Sequence, residues 1–386
     1  VFHFRAAAAE VETQEAAPMP VPDQRDPEIT RARLEAWLCG RLPDARQVRI
    51  SAVQTPTSNG FSAETLMFEA SWEDPETGPR SERLVAKVAP TGHQIFPEAR
   101  FEEQFRLLQI LAASTDIAVP TVHWHESDPG VLGAPFYVMS RVDGDVPTDM
   151  PPYHSGGWVT TASPADRESM WWAGVNVLAQ VHALDVAALE LGFIDQAGYG
   201  PTGLGQRLNY YEHYLDWAYE GHVPVAQAAI RWLREQLPAE HGDPVLLWGD
   251  ARIGNIIFTA GRAAAVLDWE MATLGQPEED LAWFLLLDRH HSEGVGVERL
   301  PGFPDAAATI DRYQRLTGRT LRDMAYYEVL SAMKFAVVMA RIGQLFIYYD
   351  LVPADNDFPY NNTATQLLAK ILGLPPPGGD LTNPLG

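Results

Sequence analysis

The stretch 245–276, V-L-L-W-G-D-A-R-I-G-N-I-I-F-T-A-G-R-A-A-A-V-L-D-W-E-M-A-T-L-G-Q, constrains this chain more than any other part of it. Its apolar runs predict two short buried strands, 245–247 and 263–267, with a third at 256–258 between them and a turn after it at Gly261. Polar groups gather at the strand ends: Asp250, Arg252 and Asn255 after the first, Asp268 and Glu270 after the last. Carboxylates and an amide are costly to bury unpaired beside apolar strands, so a cation or a bound substrate is their natural partner. Mg²⁺ takes a few hard oxygen ligands together with phosphate oxygens, and Asn255 with Asp268 can supply them. That leaves Asp250 free to orient an attacking hydroxyl and accept its proton. Glu270 fits two roles, help with the metal or a water, or capping of the next turn. The plain alternative is a polar loop that only caps structure, and a lone D-x-x-x-x-N would favour it.

Here the D-x-x-x-x-N is joined to a second aspartate eighteen residues after the first, the arrangement of base and metal ligands in kinases. The full pattern, W-G-D-A-R-I-G-N-I-I-F followed by V-L-D-W-E-M-A-T-L-G, resembles the aminoglycoside/choline phosphotransferase family of kinase-like enzymes. Within it, the chain looks most like a bacterial branch related to the kinase-like domain of acyl-CoA dehydrogenase fusion proteins. The resemblance covers roughly residues 45–350 and implies a two-lobe α+β fold of the protein-kinase type. It implies a small antiparallel sheet with a helix in the first lobe and a larger, mainly helical second lobe. It also implies transfer of the γ-phosphoryl group of ATP, with GTP as the alternative donor, to a hydroxyl of a small molecule. Mg²⁺ would be required, and an aminoglycoside-like or other cationic compound is one candidate acceptor. Arg252, two residues after the base, would neutralise the transferring group. Trp248 stands where the family usually has histidine.

The 28 lysines and arginines against 51 aspartates and glutamates leave a net charge of −23, which argues against nucleic acid or an anionic membrane as partner. Acidity suits a cationic substrate, and equally plain solubility. The single cysteine, Cys39, excludes an intramolecular disulfide and fits a reducing cytoplasm, where it is expected as a small apolar filler on a helix. The start V-F-H-F-R-A-A-A-A-E has no secretory pattern. The apolar segment 329–349 carries Lys334, Arg341 and Gln344 and reads as a buried amphipathic helix.

In order, residues 1–25 read as a flexible leader, 26–139 as the nucleotide-binding lobe, 140–144 as a hinge and 145–386 as the catalytic and acceptor-binding lobe. Asp26-Pro27-Glu28 opens a helix with cap, proline and acid in sequence. Strands are expected at 48–53, 65–72, 83–89, 119–122 and 135–139, and a helix at about 97–112. The loop Ser58-Asn59-Gly60-Phe61 can cover phosphates with backbone N–H and hydroxyl donors. Lys87, on a V-A-K strand, resembles the kinase lysine that holds phosphates, and the plain alternative is an exposed strand lysine. Its partner in such enzymes is a helix glutamate, for which Glu102, Glu103 and Gln104 compete; Glu103 is preferred. Hinge residues in such folds bond the base of the nucleotide through the main chain, which nominates Ser140 and Val142.

In the second lobe, Ser163-Pro164-Ala165-Asp166 is a capping box, His182 reads as a satisfied core histidine, and Asp280 as a structural brace of the catalytic loop. The helix 208–220 presents Tyr210, Tyr214 and Trp217, either as a packed aromatic face or as a wall of the acceptor site. A nucleotide-binding pseudokinase is the rival from another class. A protein kinase ranks behind both, because H-R-D, D-F-G and A-P-E are missing.

Overall fold

A computed structural model describes residues 25–55, 63–92, 94–239 and 241–378. The expected phosphate loop, Ser58 to Phe61, and leader residues 1–24 lie outside the described residues. Arg25, the last residue of the expected leader, is tied to the Glu64 carboxylate and the Leu132 carbonyl.

Helix α1 (Pro27–Arg41) begins where Asp26 accepts from the N–H groups of Glu28 and Ile29, a cap that contributes about 1 kcal/mol. Strands β1 (Arg46–Ile50), β2 (Glu64–Asp74) and β3 (Gly78–Val88) follow. Helix α2 (Phe101–Ser114), strand β4 (Val122–Glu126), the short α3 (Pro129–Leu132) and strand β5 (Phe136–Ser140) complete the first lobe. The five strands form one antiparallel sheet in the order β1-β2-β3-β5-β4.

Side chains alternate across a strand, so the two faces of this sheet bury different sets. Leu66, Phe68 and Ala70 of β2, with Leu84, Ala86 and Val88 of β3, pack under Leu34 and Leu38 of α1. Val85, Tyr137 and Met139 turn to the other face and join Leu107, Leu108 and Leu111 of α2 in the main core. Lys87 has the parity of Val85, and its register partner is Tyr137. Alternation thus sends Lys87 to the face that looks toward the second lobe.

That lobe contains α4 (Pro164–Val181), α5 (Leu204–Ala218), α6 (Pro224–Glu235), α7 (Pro277–His290), α8 (Ala306–Thr317), α9 (Met324–Tyr348) and α10 (Thr363–Leu372). Helix α9 is long and apolar enough to cross a membrane, but 67% of its most apolar window is buried in the fold. Helices α5, α6, α7 and α10 surround it. Two small ribbons complete the lobe: β6 (Val245–Leu247) pairs with β9 (Thr273–Gly275), and β7 (Ile256–Thr259) with β8 (Arg262–Val266).

Several expectations need correction. The strand foreseen at 119–122 starts at Val122, because Pro120 has no N–H and Thr121 contributes only its carbonyl, to Ser140 N–H. Helix α2 starts at Phe101, not near 97, which puts Glu102 and Glu103 in its first turn. The first strand is 46–50 instead of 48–53. Strand β9, three residues long, carries too little pattern to be foreseen. Cys39 is on α1 as expected, but exposed.

Candidate active site

The β6–β9 ladder pairs Leu247 with Thr273 and so lays the loop after β6 beside the loop after β8. Contact between the loops is close enough to demand glycine at position 249. Its φ is +89°, and a Cβ there would lie 2.1 Å from the Met271 carbonyl oxygen. Trp248 next to it is fully buried, and its indole N–H donates to the Leu267 carbonyl at 2.8 Å. The indole thereby ties one loop to the other.

Asp280 on α7 holds the same loop from behind. Its carboxylate accepts from Trp248 N–H (2.7 Å), Gly249 N–H (3.0 Å) and His182 Nε2 (3.1 Å). His182 Nδ1 in turn accepts from the Tyr313 hydroxyl at 2.7 Å, so this histidine is a satisfied core residue. Acids in the first turn of a helix favour its dipole, but here all three, Glu278, Glu279 and Asp280, are buried.

Asp250 follows directly, with its side chain 19% exposed. Oδ1 accepts from the Trp283 indole N–H at 2.9 Å. Oδ2 accepts from Asn255 Nδ2 at 2.6 Å and Arg252 Nε at 3.1 Å. Asn255 Nδ2 also donates to the Asp250 carbonyl at 3.1 Å, which commits both amide hydrogens. Arg252 Nη1 reaches both oxygens of Asp149, at 2.6 and 2.7 Å. Burial alone would lower the Arg252 pKa, but Asp250 and Asp149 reverse this and hold it above the usual arginine value. Arg252 is therefore already shared between two carboxylates.

Across the cleft, Lys87 Nζ is 3.8 Å from Asp268 Oδ1 and donates to Thr65 Oγ1 at 3.2 Å. Asp268 adopts φ +54°, a left-handed conformation that aspartate tolerates better than most residues. The expected Lys87–Glu103 pair is not formed. Glu103 instead lines a small cleft with Arg100, Gln104, Trp269 and Glu270. Tyr137, buried beside Lys87 on the sheet, has its hydroxyl pKa pushed up by burial and by Asp268 and Glu270.

Of the two hinge residues, Ser140 is engaged: its N–H donates to Thr121 and its hydroxyl meets His123 Nε2 at 2.8 Å. No main-chain hydrogen bond to a described residue forms at Val142. Gly144 closes the hinge against β7, since a Cβ there would lie 2.4 Å from the Phe258 carbonyl oxygen.

The donor set suits Mg²⁺. With both Asn255 amide hydrogens on Asp250, its Oδ1 is the atom left to ligate. The Leu267 N–H donates to the Asn255 carbonyl at 2.8 Å, which brings Asn255 alongside Asp268, itself 43% exposed. Among the described residues no cluster of three His, Cys, Asp or Glu side chains forms a closed metal site. One carboxylate and one amide oxygen, completed by phosphates, is a Mg²⁺ pattern.

Sequence reasoning missed two residues of this constellation, Trp283 and Asp149. Trp283 had a signal, since it lies one helical turn beyond Asp280 and so shares its face. Asp149 sits in a proline-rich loop and had none. Of the aromatic stripe of α5, Tyr210 and Tyr214 are buried, with the Tyr214 hydroxyl donating to the Ile95 carbonyl, while Trp217 is 36% exposed beneath the Arg341 guanidinium.

A sequence model of the phosphotransferase enzyme family matches residues 55–323. The chain belongs to this family. Among its relatives, acyl-CoA dehydrogenase family member 11 of Pongo abelii is 31% identical over 260 residues, 64% of this chain. The same-named protein of Gallus gallus is 30% identical over 264 residues, 67% of this chain. The chain spans 31% of the length of each, about a third of these curated relatives. Among solved structures, a candidate aminoglycoside phosphotransferase of Ralstonia eutropha superposes with a TM-score of 0.64 at 24% identity, covering 88% of this chain and 95% of that one. These neighbours share the expected two-lobe α+β fold. The GDP and kanamycin complex of APH(2")-IIia shares it too, with a TM-score of 0.54 at 13% identity over 88% of this chain and 97% of that one.

Proposed function

We propose that this family member transfers the γ-phosphoryl group of a nucleoside triphosphate, ATP or GTP, to the hydroxyl of a small molecule. The observation that carries the reading is Asp250, a carboxylate held by Trp283, Arg252 and Asn255 at the mouth of the loop that ends beside Asp268. Nucleotide donors are further supported by the GDP held in a structure of the same fold.

Asp250 orients the acceptor hydroxyl and takes its proton. The acceptor oxygen then bonds to the γ-phosphorus as the bond to the β–γ bridging oxygen breaks, and the nucleoside diphosphate leaves with that electron pair. Lys87 holds the phosphates against the first lobe, and Val142 offers main-chain groups to the base of the nucleotide. Asn255 and Asp268 would hold Mg²⁺, with Glu270 beside them; bound there, the ion supplies charge neutralisation on the phosphates. Arg252, already paired on both sides, acts first on Asp250 and Asp149, and reaches a phosphoryl group only if one of those pairs opens. The −23 charge makes a cationic acceptor such as an aminoglycoside one class to include in a screen.

The test is Asp250→Asn, assayed by ADP or GDP release against a panel of alcohols and aminoglycosides, with water as the fallback acceptor. A general base contributes mainly in the transition state, so nucleotide affinity should stay near normal while kcat falls ~10²–10⁴-fold. A variant as fast as wild type would remove Asp250 from the mechanism. Tight Mg–ATP binding with no turnover by either protein would favour the pseudokinase.

A further inference from the structure

Trp283 sits on α7 one turn beyond Asp280 and is 2% exposed. Asp280 holds the main chain of the catalytic loop, and Trp283 reaches past it to the carboxylate of Asp250. A carboxylate oxygen has two in-plane lone-pair directions. Asp250 Oδ2 spends both, on Asn255 and Arg252. Oδ1 spends one, on the Trp283 N–H, and keeps the other.

Over the Trp283 indole lies the side chain of a buried lysine. Lys334 of α9 is 4% exposed, and its Nζ is 5.0 Å from the Trp283 ring centre and 5.7 Å from that of Tyr211. It forms no ion pair with any described carboxylate; its company is the two aromatic faces. Burial depresses its pKa, Arg207 adds to this, and Glu279, Asp280 and Asp250 counter it. Burying a cation in this way costs stability. A cation against an indole face draws electron density from the ring and makes its N–H a better donor. The donor in question points at the proton-accepting group.

We propose that Trp283, backed by Lys334, is a positioning residue that fixes Asp250 Oδ1 as the atom receiving the acceptor's proton. The proposal rests on Asp250 being the base. The acceptor O–H breaks, its proton goes to the open lone pair of Oδ1, and its oxygen forms the new bond to phosphorus. Oδ2 stays with Asn255 and Arg252 throughout.

The experiment uses the full chain, Mg–ATP and the best acceptor of the panel, or water if none turns over. Trp283→Phe keeps an aromatic face for Lys334 and removes only the donor. It should lower kcat about 10- to 100-fold, the scale for one hydrogen bond to a charged group, with the KM for Mg–ATP within about twofold. Lys334→Met keeps the bulk and removes the charge; kcat should fall about threefold or more, and this effect should vanish in the Trp283→Phe background. A merely structural role predicts additive losses that track melting temperature. Wild-type kcat in Trp283→Phe, or a raised KM with kcat intact, overturns the proposal. If Trp283→Phe fails to fold, Lys334→Met decides alone, and unchanged kcat there overturns it. Failure of the underlying reading looks different: Asp250→Asn would then turn over as fast as wild type, whatever the Trp283 variant does.

Discussion

Asp280 offers the sharpest test of how the catalytic loop is held. It is 1% exposed and accepts three hydrogen bonds, from Trp248 N–H, Gly249 N–H and His182 Nε2. Asp280→Ala orphans all three donors. Each unsatisfied buried donor costs about 1–3 kcal/mol, so the unrelaxed loss is roughly 3–9 kcal/mol. Water entering the vacated space recovers part of it, and the expected destabilisation is about 3–5 kcal/mol, the range for removing one partner of a buried charged pair. Asp280→Asn keeps one acceptor oxygen but turns an NH₂ toward a donor, at a cost of about 2–3 kcal/mol. Urea unfolding of both variants measures this, with Asp311→Ala as control. Asp311 is an exposed helix partner of Arg315, and its loss should change stability by less than about 0.5 kcal/mol. Activity should fall with stability, because Gly249 and Asp250 lose their anchor. If Asp280→Ala unfolds within about 1 kcal/mol of wild type at unchanged m, the loop is not held by this carboxylate and the reasoning fails.

Gly249→Ala places a Cβ 2.1 Å from the Met271 carbonyl at φ +89°, so it should lower both stability, by at least about 2 kcal/mol, and kcat; wild-type melting and turnover would contradict the packing described. Lys87→Ala removes the charge facing Asp268 and should raise the KM for Mg–ATP about 10-fold or more while the melting temperature stays near wild type; unchanged kinetics would return Lys87 to an ordinary strand lysine. His291, buried against Tyr153 and facing Asp149, Arg252, Asp288 and His154, has its pKa lowered to about 4, burial being the main cause. The unfolded chain binds the proton near pH 6.5 and the folded one near 4, so stability present above 6.5 drains away as pH falls through that window, by on the order of 3 kcal/mol. His291→Gln should flatten this acid limb of a melting-temperature profile, and an unchanged limb would refute the assignment.

The parts of this protein that could be read without its structure are those whose chemistry is local in the chain. Asp250, Asn255 and Asp268 stand at spacings that only a strand–loop–strand unit explains, and the caps at Asp26 and Ser163 are satisfied by residues within one turn. Alternation along β3 is local too, and it alone sends Lys87 to the face shared with Val85. The tertiary structure decided which charges meet. Lys87 has Asp268 and not Glu103 as its charged partner, although Asp268 lies 181 residues downstream. The contacts of Asp250 with Trp283 and of Arg252 with Asp149 join loops and helices far apart in the chain. Hydrogen-bond energies fall off within a few tenths of an ångström, while sequence spacing constrains distant segments hardly at all. Such pairings exist only in the packed fold, where α7 brings Trp283 to Asp250 and α9 brings the buried Lys334 over the Trp283 ring.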